Sequence, residues 1–420
     1  MRVAVQMGPD REVGFQMMSS SEWSQYLHTR TGDNVAARRT MGRLTRTQTQ
    51  ERNRAKVLAA ARAEFIARGF RSVKIDDIAE RADLTRGAVY SNFPGKRALY
   101  FAVLADDAER ASGAAQAHGR GHGHGPPGDT VREALGAFAR AWVARLPLAT
   151  DEPHSAARLG MDLMSEVIAD EGSRQAFAQL MKLDALLLGL ALERLRPRLP
   201  AADRRDADRR IAGRRVAVAE AALTTLHGAR QLAAAAPGFV EPFNVVSACA
   251  QLADLDLGDT WQPPHLPHTR RARTVDEAWS PPPATDAAGG GAARLTGDGV
   301  VAILGLHRLA AIEEAVRAAP AGLDVTAVLV SDSPKELLPL ARLTVAELRT
   351  CLQEAVAPSA WPSPQIVYDE TGALAEAAGV SEVDNATEIA VRIQDGRIVA
   401  RAEGFGACHA AATAEPARRT

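Results

Sequence analysis

The sequence predicts a multidomain protein that is all-α as far as residue 258 and α/β toward its C-terminus. Hydrophobic residues make up 46% of the 420 residues but aromatic residues only 5%, and alanine dominates, which favours packed helices over a β-sandwich. From Glu51 onward, apolar residues recur at helical spacing. After residue 298, short apolar runs instead predict buried parallel strands.

Charge and cysteine content narrow the class of protein. The net charge is −1, yet residues 29–100 hold 16 Lys and Arg against 7 Asp and Glu, so the remainder carries −10. A basic segment beside an acidic body is typical of a nucleic-acid-binding unit with a control domain. Cys249, Cys351 and Cys408 are too few for a disulfide framework or a CxxC site, which indicates a reducing cytoplasm. No apolar run of 18 residues and no signal-peptide core is present, so neither a membrane span nor secretion is predicted. No cofactor or metal is predicted.

The basic segment begins with a helix whose end is marked by a glycine. One helical face carries Val57, Leu58, Ala61 and Phe65, and Gly69 stands at the position of a C′ glycine. Helical spacing therefore predicts a first helix that stops near this glycine.

Two short helices follow, at 75–82 and 86–93, and a longer one covers 96–112. Asp83-Leu84-Thr85 joins the short pair, and Thr85 is the expected N-cap of the second. Such a pair is the geometry that places a second helix in the DNA major groove. The alternative is an ordinary three-helix bundle with basic residues on its surface.

Four stretches of this segment carry a family resemblance: Ala61-Arg-Ala-Glu-Phe65, Arg68-Gly-Phe70, Asp76-Asp-Ile-Ala79 and Arg86-Gly-Ala-Val-Tyr-Ser-Asn-Phe93 followed by Lys96. In order and spacing, residues 43–104 resemble the N-terminal domain of tetracycline-repressor (TetR-type) transcriptional regulators. The resemblance implies a helix-turn-helix domain that binds double-stranded DNA.

The resemblance also implies roles for single residues. Thr85, Arg86, Gly87 and Ala88 begin the recognition helix, where Arg86 suits a bidentate contact with guanine and Ala88 a thymine methyl. Gly87 allows the backbone to approach closely. Phosphate or base contacts are expected from Tyr90, Ser91, Asn92 and Lys96. Val89 and Phe93 are assigned to the core.

The sequence departs from the family pattern at two places. Asp83 replaces a turn glycine, and aspartate tolerates a positive φ better than most residues. Val73-Lys74 replaces a Thr/Ser-rich entry to the second short helix, so Lys74 is the expected charged substitute for a hydroxyl contact with phosphate.

The residues before the domain leave alternatives open. Residues 1–42 are expected to be a flexible extension, or translation starts at Met41. Five basic residues follow and either contact phosphates and the minor groove or form a solvated charge run: Arg43, Arg46, Arg52, Arg54 and Lys56.

Residues 130–258 carry amphipathic patterns that predict helices at 130–146, 154–170, 172–196, 204–235 and 242–256. The resemblance implies that this region binds a small-molecule effector and that its last two helices pair with those of a second copy. A homodimer with two-fold symmetry requires a palindromic operator. Five residues on apolar faces are candidates for an effector pocket, with ordinary core packing as the alternative: Trp142, Met161, Met164, Met181 and His227.

Glycine, histidine and proline mark two connecting segments. Residues 113–129 contain His118, His122 and His124 among glycines, and without carboxylate or cysteine partners this spacing favours a linker over a metal site. Residues 259–298 are rich in proline and glycine and are also expected to be a linker.

The last unit, 299–412 before a tail at 413–420, is similar to thioredoxin-like or peroxiredoxin-like domains. Strands are predicted at 300–304, 325–330 and 365–368, helices at 307–319, 345–357 and 372–378, and a hairpin around Asp395-Gly396. Leu306-His307-Arg308-Leu309 stands where that family carries its cysteines, and Ala386-Thr387 stands where the family has the Thr-Pro that supplies its cis-proline. The domain is therefore expected to lack redox chemistry and to serve contact or sensing.

Together these observations favour a cytoplasmic, homodimeric DNA-binding regulator, a repressor released by a small ligand, and not an enzyme. The alternative is a thiol-redox or peroxidase-like enzyme with an attached DNA-binding unit. A third hypothesis makes the C-terminal unit a protein-interaction module.

Overall fold

A computed structural model describes residues 45–117, 128–147, 158–195, 214–262 and 271–415, together with the backbone of Val3–Val5 and Phe15–Met17. The chain divides into two units, Met1–Ala55 and Lys56–Thr420. In the first unit, strands β1 (Val3–Val5) and β2 (Phe15–Met17) pair antiparallel. The expectation of a flexible extension at 1–42 otherwise lies outside the described residues.

Four helices form the helix-turn-helix region: α1 (Arg46–Ser72), α2 (Ile75–Arg81), α3 (Arg86–Asn92) and α4 (Lys96–Ala117). At Gly69, φ is +74° and the helical path is interrupted, which confirms the predicted stop. The aromatic rings of Phe65, Phe70 and Tyr100 pack together with centroids 4.5–5.6 Å apart. These rings pack α1 against α4, and the two short helices α2 and α3 lie between these longer helices in the chain.

Five further helices follow: α5 (Val131–Val143), α6 (Leu163–Ile168), α7 (Glu171–Glu193), α8 (Val216–Ala235) and α9 (Pro242–Gln251). The predicted helical content is confirmed within the described residues, although α6 is short and residues 154–157, 196 and 204–213 of the predicted helices lie outside them. Helix α7 is long and apolar enough to cross a membrane, but 67% of its most apolar window is buried against the rest of the protein. Burial of this extent is what a core helix of a globular domain shows.

The C-terminal part is a mixed α/β domain. Its strands are β3 (Arg273–Ala278), β4 (Thr285–Asp286), β5 (Gly291–Ala292), β6 (Gly299–Gly305), β7 (Asp324–Val330), β8 (Gln365–Tyr368), β9 (Glu388–Gln394) and β10 (Arg397–Glu403). Its helices are α10 (Ile312–Ala318), α11 (Pro334–Ala355), α12 (Ala373–Ala377) and α13 (Ala407–Ala412). Six strands form one sheet in the order β3-β10-β9-β6-β7-β8.

Within that sheet, β6, β7 and β8 run parallel, and β9 is antiparallel to both β6 and β10. Parallel strands covered on both faces need continuous apolar runs, and every residue of β6 is buried. The hairpin turn at Asp395-Gly396 has φ of +49° and +71°, as the two-residue turn predicted from the sequence requires.

Helix α11 lies against the helical region as well as belonging to the α/β domain. It packs on α4, α5 and α7, and a single hydrophobic core runs through both parts. The apolar residues of α11 therefore complete the core of the helical region.

Three elements differ from the sequence-based expectation. Strand β3 and the β4–β5 pair fall inside 259–298, which was expected to be a linker. Helix α11 begins at Pro334 and contains Pro339, whereas the pattern predicted only its second half. The linker expected to begin at residue 113 begins later, because α4 continues to Ala117; His118, His122 and His124 lie outside the described residues.

Candidate nucleic-acid interface and cavities

The recognition helix α3 begins at a side-chain cap. Thr85 Oγ1 accepts a hydrogen bond of 3.2 Å from the backbone N–H of Ala88, which confirms Thr85 as the N-cap. In the preceding turn Asp83 has φ of +54°, the left-handed conformation expected where the family has glycine. The cap and the turn together fix the direction in which α3 leaves the core.

The inner side of α3 is anchored in the core. Val89 and Phe93 are buried, as predicted. Asn92 is also buried, and its Nδ2 donates to the carbonyl oxygen of Ala88 over 2.9 Å. The structure thus places Asn92 beneath the helix surface, where it holds the last turn of α3, rather than on the exposed face.

The outer side of α3 presents most of the predicted DNA-binding residues together. Arg86, Gly87, Tyr90 and Ser91 are exposed, and Ala88 is half-buried between them. The Arg86 guanidinium lies 3.5 Å from the Asp76 carboxylate and donates to the Tyr90 hydroxyl over 3.5 Å. Both contacts are long and exposed to solvent, so they orient Arg86 without fixing it.

Two lysines flank this face in different settings. Lys74 precedes α2 with its side chain exposed, while its backbone N–H donates to Asp77 Oδ2 over 2.9 Å. Lys96 is half-buried: its ammonium donates to the carbonyl oxygen of Arg71 over 3.3 Å and lies 4.3 Å from the centre of the Phe70 ring. Burial lowers the pKa of Lys96, against the opposing effect of nearby carboxylates. Lys96 therefore also stabilises the domain.

Residues 57–103 match the family model of bacterial regulatory proteins of the tetR family. This region is similar to a TetR-family N-terminal domain. Two HTH-type transcriptional regulators of Pseudomonas putida, SrpR and TtgW, are each 42% identical to the chain over 65 residues. Those residues are 16% of this chain, 30% of SrpR and 48% of TtgW, so the match spans less than half of either relative.

Solved structures are similar to a longer part of the chain. A TetR transcriptional regulator from Rhodococcus sp. RHA1 is 18% identical, covering 48% of this chain and 95% of its own, with a TM-score of 0.27. A structure described as the molecular basis for control of antibiotic production by bacterial hormones is 24% identical, covering 48% and 94%, also with a TM-score of 0.27. TM-scores this low do not establish a common overall arrangement.

Behind the TetR-type domain, the helical region contains two cavities that involve four of the five predicted effector residues. Met164, Met181 and His227 line a cavity of about 320 Å³ between α6, α7 and α8. Met161 lines a second cavity of about 410 Å³. Trp142 lines neither: it is buried, and its indole N–H donates to the carbonyl oxygen of Leu226 over 3.2 Å.

His227 lies between aromatic rings on the wall of the smaller cavity. Its ring centre is 4.8 Å from that of Trp142 and 5.9 Å from that of Phe177. Burial and the neighbouring Arg230 lower the pKa of His227 to about 4, so the imidazole is neutral at pH 7. A neutral imidazole in an apolar wall suits an uncharged or aromatic group better than a cation.

A buried network of charged groups, which the sequence analysis missed, joins α8 and α11. Arg230 and Glu347 form two hydrogen bonds of 2.9 and 3.0 Å. Although burial alone would raise it, Arg230 and Arg145 hold the pKa of Glu347 below its ordinary value. The two partners are 117 residues apart in sequence, and no local pattern relates them.

Asp184, on α7, is a second buried carboxyl in this part of the core. It is 4% exposed, and its Oδ1 has no hydrogen-bond partner among the described residues. Burial, followed by the charge of Glu347, raises the pKa of Asp184 well above its ordinary value. The fold therefore favours the protonated form of this carboxyl.

The α/β domain has no activated thiol among its described residues. Cys351 on α11 and Cys408 on α13 are buried. Burial raises the pKa of Cys351 to about 11 and raises that of Cys408 well above its ordinary value. Just beyond the end of β6, Arg308 pairs with the buried carboxylate of Glu388. These residues form a structural ion pair, and no thiolate nucleophile is available there.

Proposed function

We propose that this protein is a cytoplasmic, sequence-specific DNA-binding transcriptional regulator, a repressor that binds a palindromic operator as a homodimer. The observation that carries the proposal is the exposed face of α3 in a TetR-type domain, where Arg86, Gly87, Tyr90 and Ser91 project from a capped helix anchored by Val89. A short helix that is rigid inside and polar outside suits the major groove.

Within this interface, each residue has a distinct role. Arg86 reads guanine by a bidentate contact, and Ala88 meets a thymine methyl. Gly87 permits close approach of the backbone, which Thr85 orients by capping α3. Four further side chains contact phosphates or support the contacts that do: Lys74, Tyr90, Ser91 and Lys96.

Exposed apolar residues on the last two helices support the homodimer. Leu232 on α8, Phe239 in the connection and Phe243 on α9 are 45%, 71% and 80% exposed. Large side chains this exposed mark an interaction surface. Pairing α8 and α9 with their copies would bury these side chains and set two recognition helices at one fixed spacing.

The two cavities support control by a small ligand. A ligand that binds better to one conformation shifts the population toward that conformation. If the two recognition helices of the dimer are then not spaced for adjacent major grooves, the protein releases its operator. A coupling of about 1–3 kcal/mol is typical of such linkage.

For the α/β domain we propose a thioredoxin-like fold without thiol chemistry. The order β10-β9-β6-β7, with a hairpin at one side and a parallel pair at the other, supports this assignment. The alternative function, a thiol peroxidase, predicts peroxide reduction by the full-length chain that is lost in Cys351→Ser and Cys408→Ser. We expect no such turnover, because both thiols are buried and protonated.

Selection of bound sites from a random pool of double-stranded DNA tests the proposed function. The full-length chain is the right material, because α11 completes the core of the helical region and truncation would expose it. We expect recovery of one palindrome, and loss of one specified base pair in each half-site with Arg86→Ala. Salt-sensitive binding without a consensus would contradict sequence-specific recognition.

A further inference from the structure

The cavity of about 410 Å³ is walled by both parts of the molecule. Leu104 from α4, Ala144 after α5 and Arg230 from α8 line it on the helical side. Leu343 and Glu347 line it from α11, the helix that belongs to the α/β domain. The volume is in the range of sites for small organic molecules, roughly 300–1,000 Å³.

The lining holds two acidic and two basic side chains, which are not all paired with one another. Asp107 pairs with Arg62 at 2.8 Å, and Glu347 pairs with Arg230 at 2.9 Å. The remaining charged side chain in the lining is the guanidinium of Arg145. The lining therefore carries one cation in excess of its ion pairs.

Arg145 has no carboxylate hydrogen-bonded to it among the described residues. Its Nη2 donates to the Sγ of Cys351, and its buried Nε has no hydrogen-bond partner among them. The Cys351 thiol is protonated at neutral pH and brings no charge. The charge of Glu347 acts on Arg145, but the oxygens of that carboxylate are hydrogen-bonded to Arg230. A mostly buried cation with no carboxylate hydrogen-bonded to it is costly, and a bound anion would reduce that cost.

The rest of the lining is mostly apolar, including Leu104, Leu159, Leu163, Pro147 and Leu343. We propose that this cavity binds an apolar molecule that carries one carboxylate, with Arg145 as the partner of the carboxylate and α11 as one wall. The C-terminal domain is then part of the ligand-binding site rather than an appendage to it.

The same helix reaches the recognition helix. In the first turn of α11, Lys335 Nζ donates to the carbonyl oxygen of Ser91 over 3.3 Å, and Glu336 pairs with Arg97 at 2.9 Å. Two turns further on, Leu343 lines the cavity. A ligand that displaces α11 would therefore disturb its contacts at the end of α3; this consequence, unlike the binding itself, rests on the proposed function.

Calorimetric titration of the full-length protein with decanoate and with decan-1-ol tests the binding. The two probes share an apolar chain and differ in charge. We expect decanoate to bind at least about tenfold more tightly, as a charge-assisted hydrogen bond provides. Arg145→Met should abolish this preference while decan-1-ol still binds, which shows that the cavity is intact.

Arg140→Met is the matched control, because Arg140 is exposed near the end of α5, a few residues before Arg145, and lies outside the cavity. It should bind both probes as the parent does. Equal binding of the two probes by the parent, or a preference that survives Arg145→Met, would overturn the assignment of the carboxylate site.

The length of the fatty acid that binds best tests whether α11 forms one wall of the cavity. Leu343→Ala enlarges the cavity and should shift the best-binding fatty acid to a longer chain, whereas Leu343→Phe should shift it to a shorter one. Leu352→Ala, equally buried on α11 but outside the lining, is the control and should leave the optimum unchanged. An unchanged optimum in both Leu343 variants would remove α11 from the site.

Titration of the protein–DNA complex with decanoate then separates binding from regulation. Release of DNA by decanoate but not by decan-1-ol supports the link through α11. Tight decanoate binding without an effect on DNA affinity overturns that link and leaves the carboxylate site supported. Because the calorimetric test uses no DNA, failure of the proposed DNA-binding function would not affect its result.

Discussion

The recognition helix and the junction of α8 with α11 hold their charged groups in opposite ways. On α3, Arg86 is exposed and its contacts with Asp76 and Tyr90 are long. At the junction, Arg230 and Glu347 are mostly buried and make two short hydrogen bonds. The Arg86 guanidinium is therefore available to bind a partner, whereas the Arg230–Glu347 pair stabilises the fold.

This difference separates recognition from stability in the molecule. Exposed pairs contribute at most about 1 kcal/mol to folding, so residues of α3 are free to be selected for what they bind. A buried pair is strongly destabilising when one partner is lost. Substitution of the exposed Arg86 should therefore alter DNA binding with little change in stability, whereas substitutions at the junction should alter stability and its pH dependence.

The largest expected effect is the loss of Glu347. Glu347→Ala leaves the Arg230 guanidinium without its partner in a mostly buried position and should lower the free energy of unfolding by about 3 kcal/mol. Urea unfolding followed by circular dichroism measures the change. The double variant Arg230→Met with Glu347→Met should recover most of the loss, and an equal loss in the double variant would contradict the charge-based explanation.

The second effect concerns pH and Asp184. Burial raises the pKa of this carboxyl in the folded state. In the unfolded chain the Asp184 carboxyl therefore ionises first, above about pH 4. The free energy of unfolding then falls as the pH rises from there toward the folded-state pKa. Asp184→Asn removes this contribution. The slope of unfolding free energy between pH 5 and 7 should change by up to about 1.4 kcal/mol per pH unit relative to the parent. Parallel pH profiles for the two proteins would show that Asp184 is ionised in the fold.

The two regions also differ in how far the sequence predicts them. Short-range signals determine the TetR-type domain: Gly69 interrupts α1, Asp83 makes the turn and Thr85 caps α3. Each acts within a few residues of its own position. Such signals are present in a single sequence. Burial of Asn92 was not foreseen, because its position follows from how the last turn of α3 meets the core.

At the junction the deciding interactions are long-range. Arg230 and Glu347 meet only because α11 packs onto the helical region, and neither residue type at its own position signals a partner 117 residues away. Strand β3 was missed for a related reason: it is an exposed edge strand among prolines, and its pairing with β10 is what makes it a strand. Pattern reasoning finds elements that are stabilised locally and misses those that tertiary contacts create.

The third prediction contrasts a base contact with a phosphate contact. Arg86→Ala should lower operator affinity by about 1–3 kcal/mol and relax specificity at one base pair, with little change in stability. Lys96→Ala should weaken binding to all sequences alike and flatten the salt dependence. Because Lys96 packs on Phe70 and bonds to Arg71, this variant should also unfold at lower urea concentration. Filter binding at several salt concentrations gives both affinities, and operator binding by both variants equal to that of the parent would contradict the assigned roles.

The smallest expected effect, that of Gly87→Ala, tests most specifically whether the backbone of α3 approaches DNA closely. A Cβ at Gly87 would meet only Thr85 Oγ1, at 3.9 Å, so Gly87→Ala fits the fold and should raise the free energy of unfolding by about 0.5–1 kcal/mol. If close approach to DNA is the reason for glycine there, the same variant should bind operator more weakly.

Gly113→Ala is the matched control, because Gly113 lies exposed within α4 and a Cβ there meets no atom within 4 Å. Both variants should gain similar stability in urea, and only Gly87→Ala should lose operator affinity in a gel-shift titration. A gain in stability without a loss of affinity at residue 87 would mean that the backbone of α3 does not approach DNA closely at this point. Since a folding defect cannot produce weaker binding together with higher stability, that combination would identify Gly87 as a residue kept for recognition.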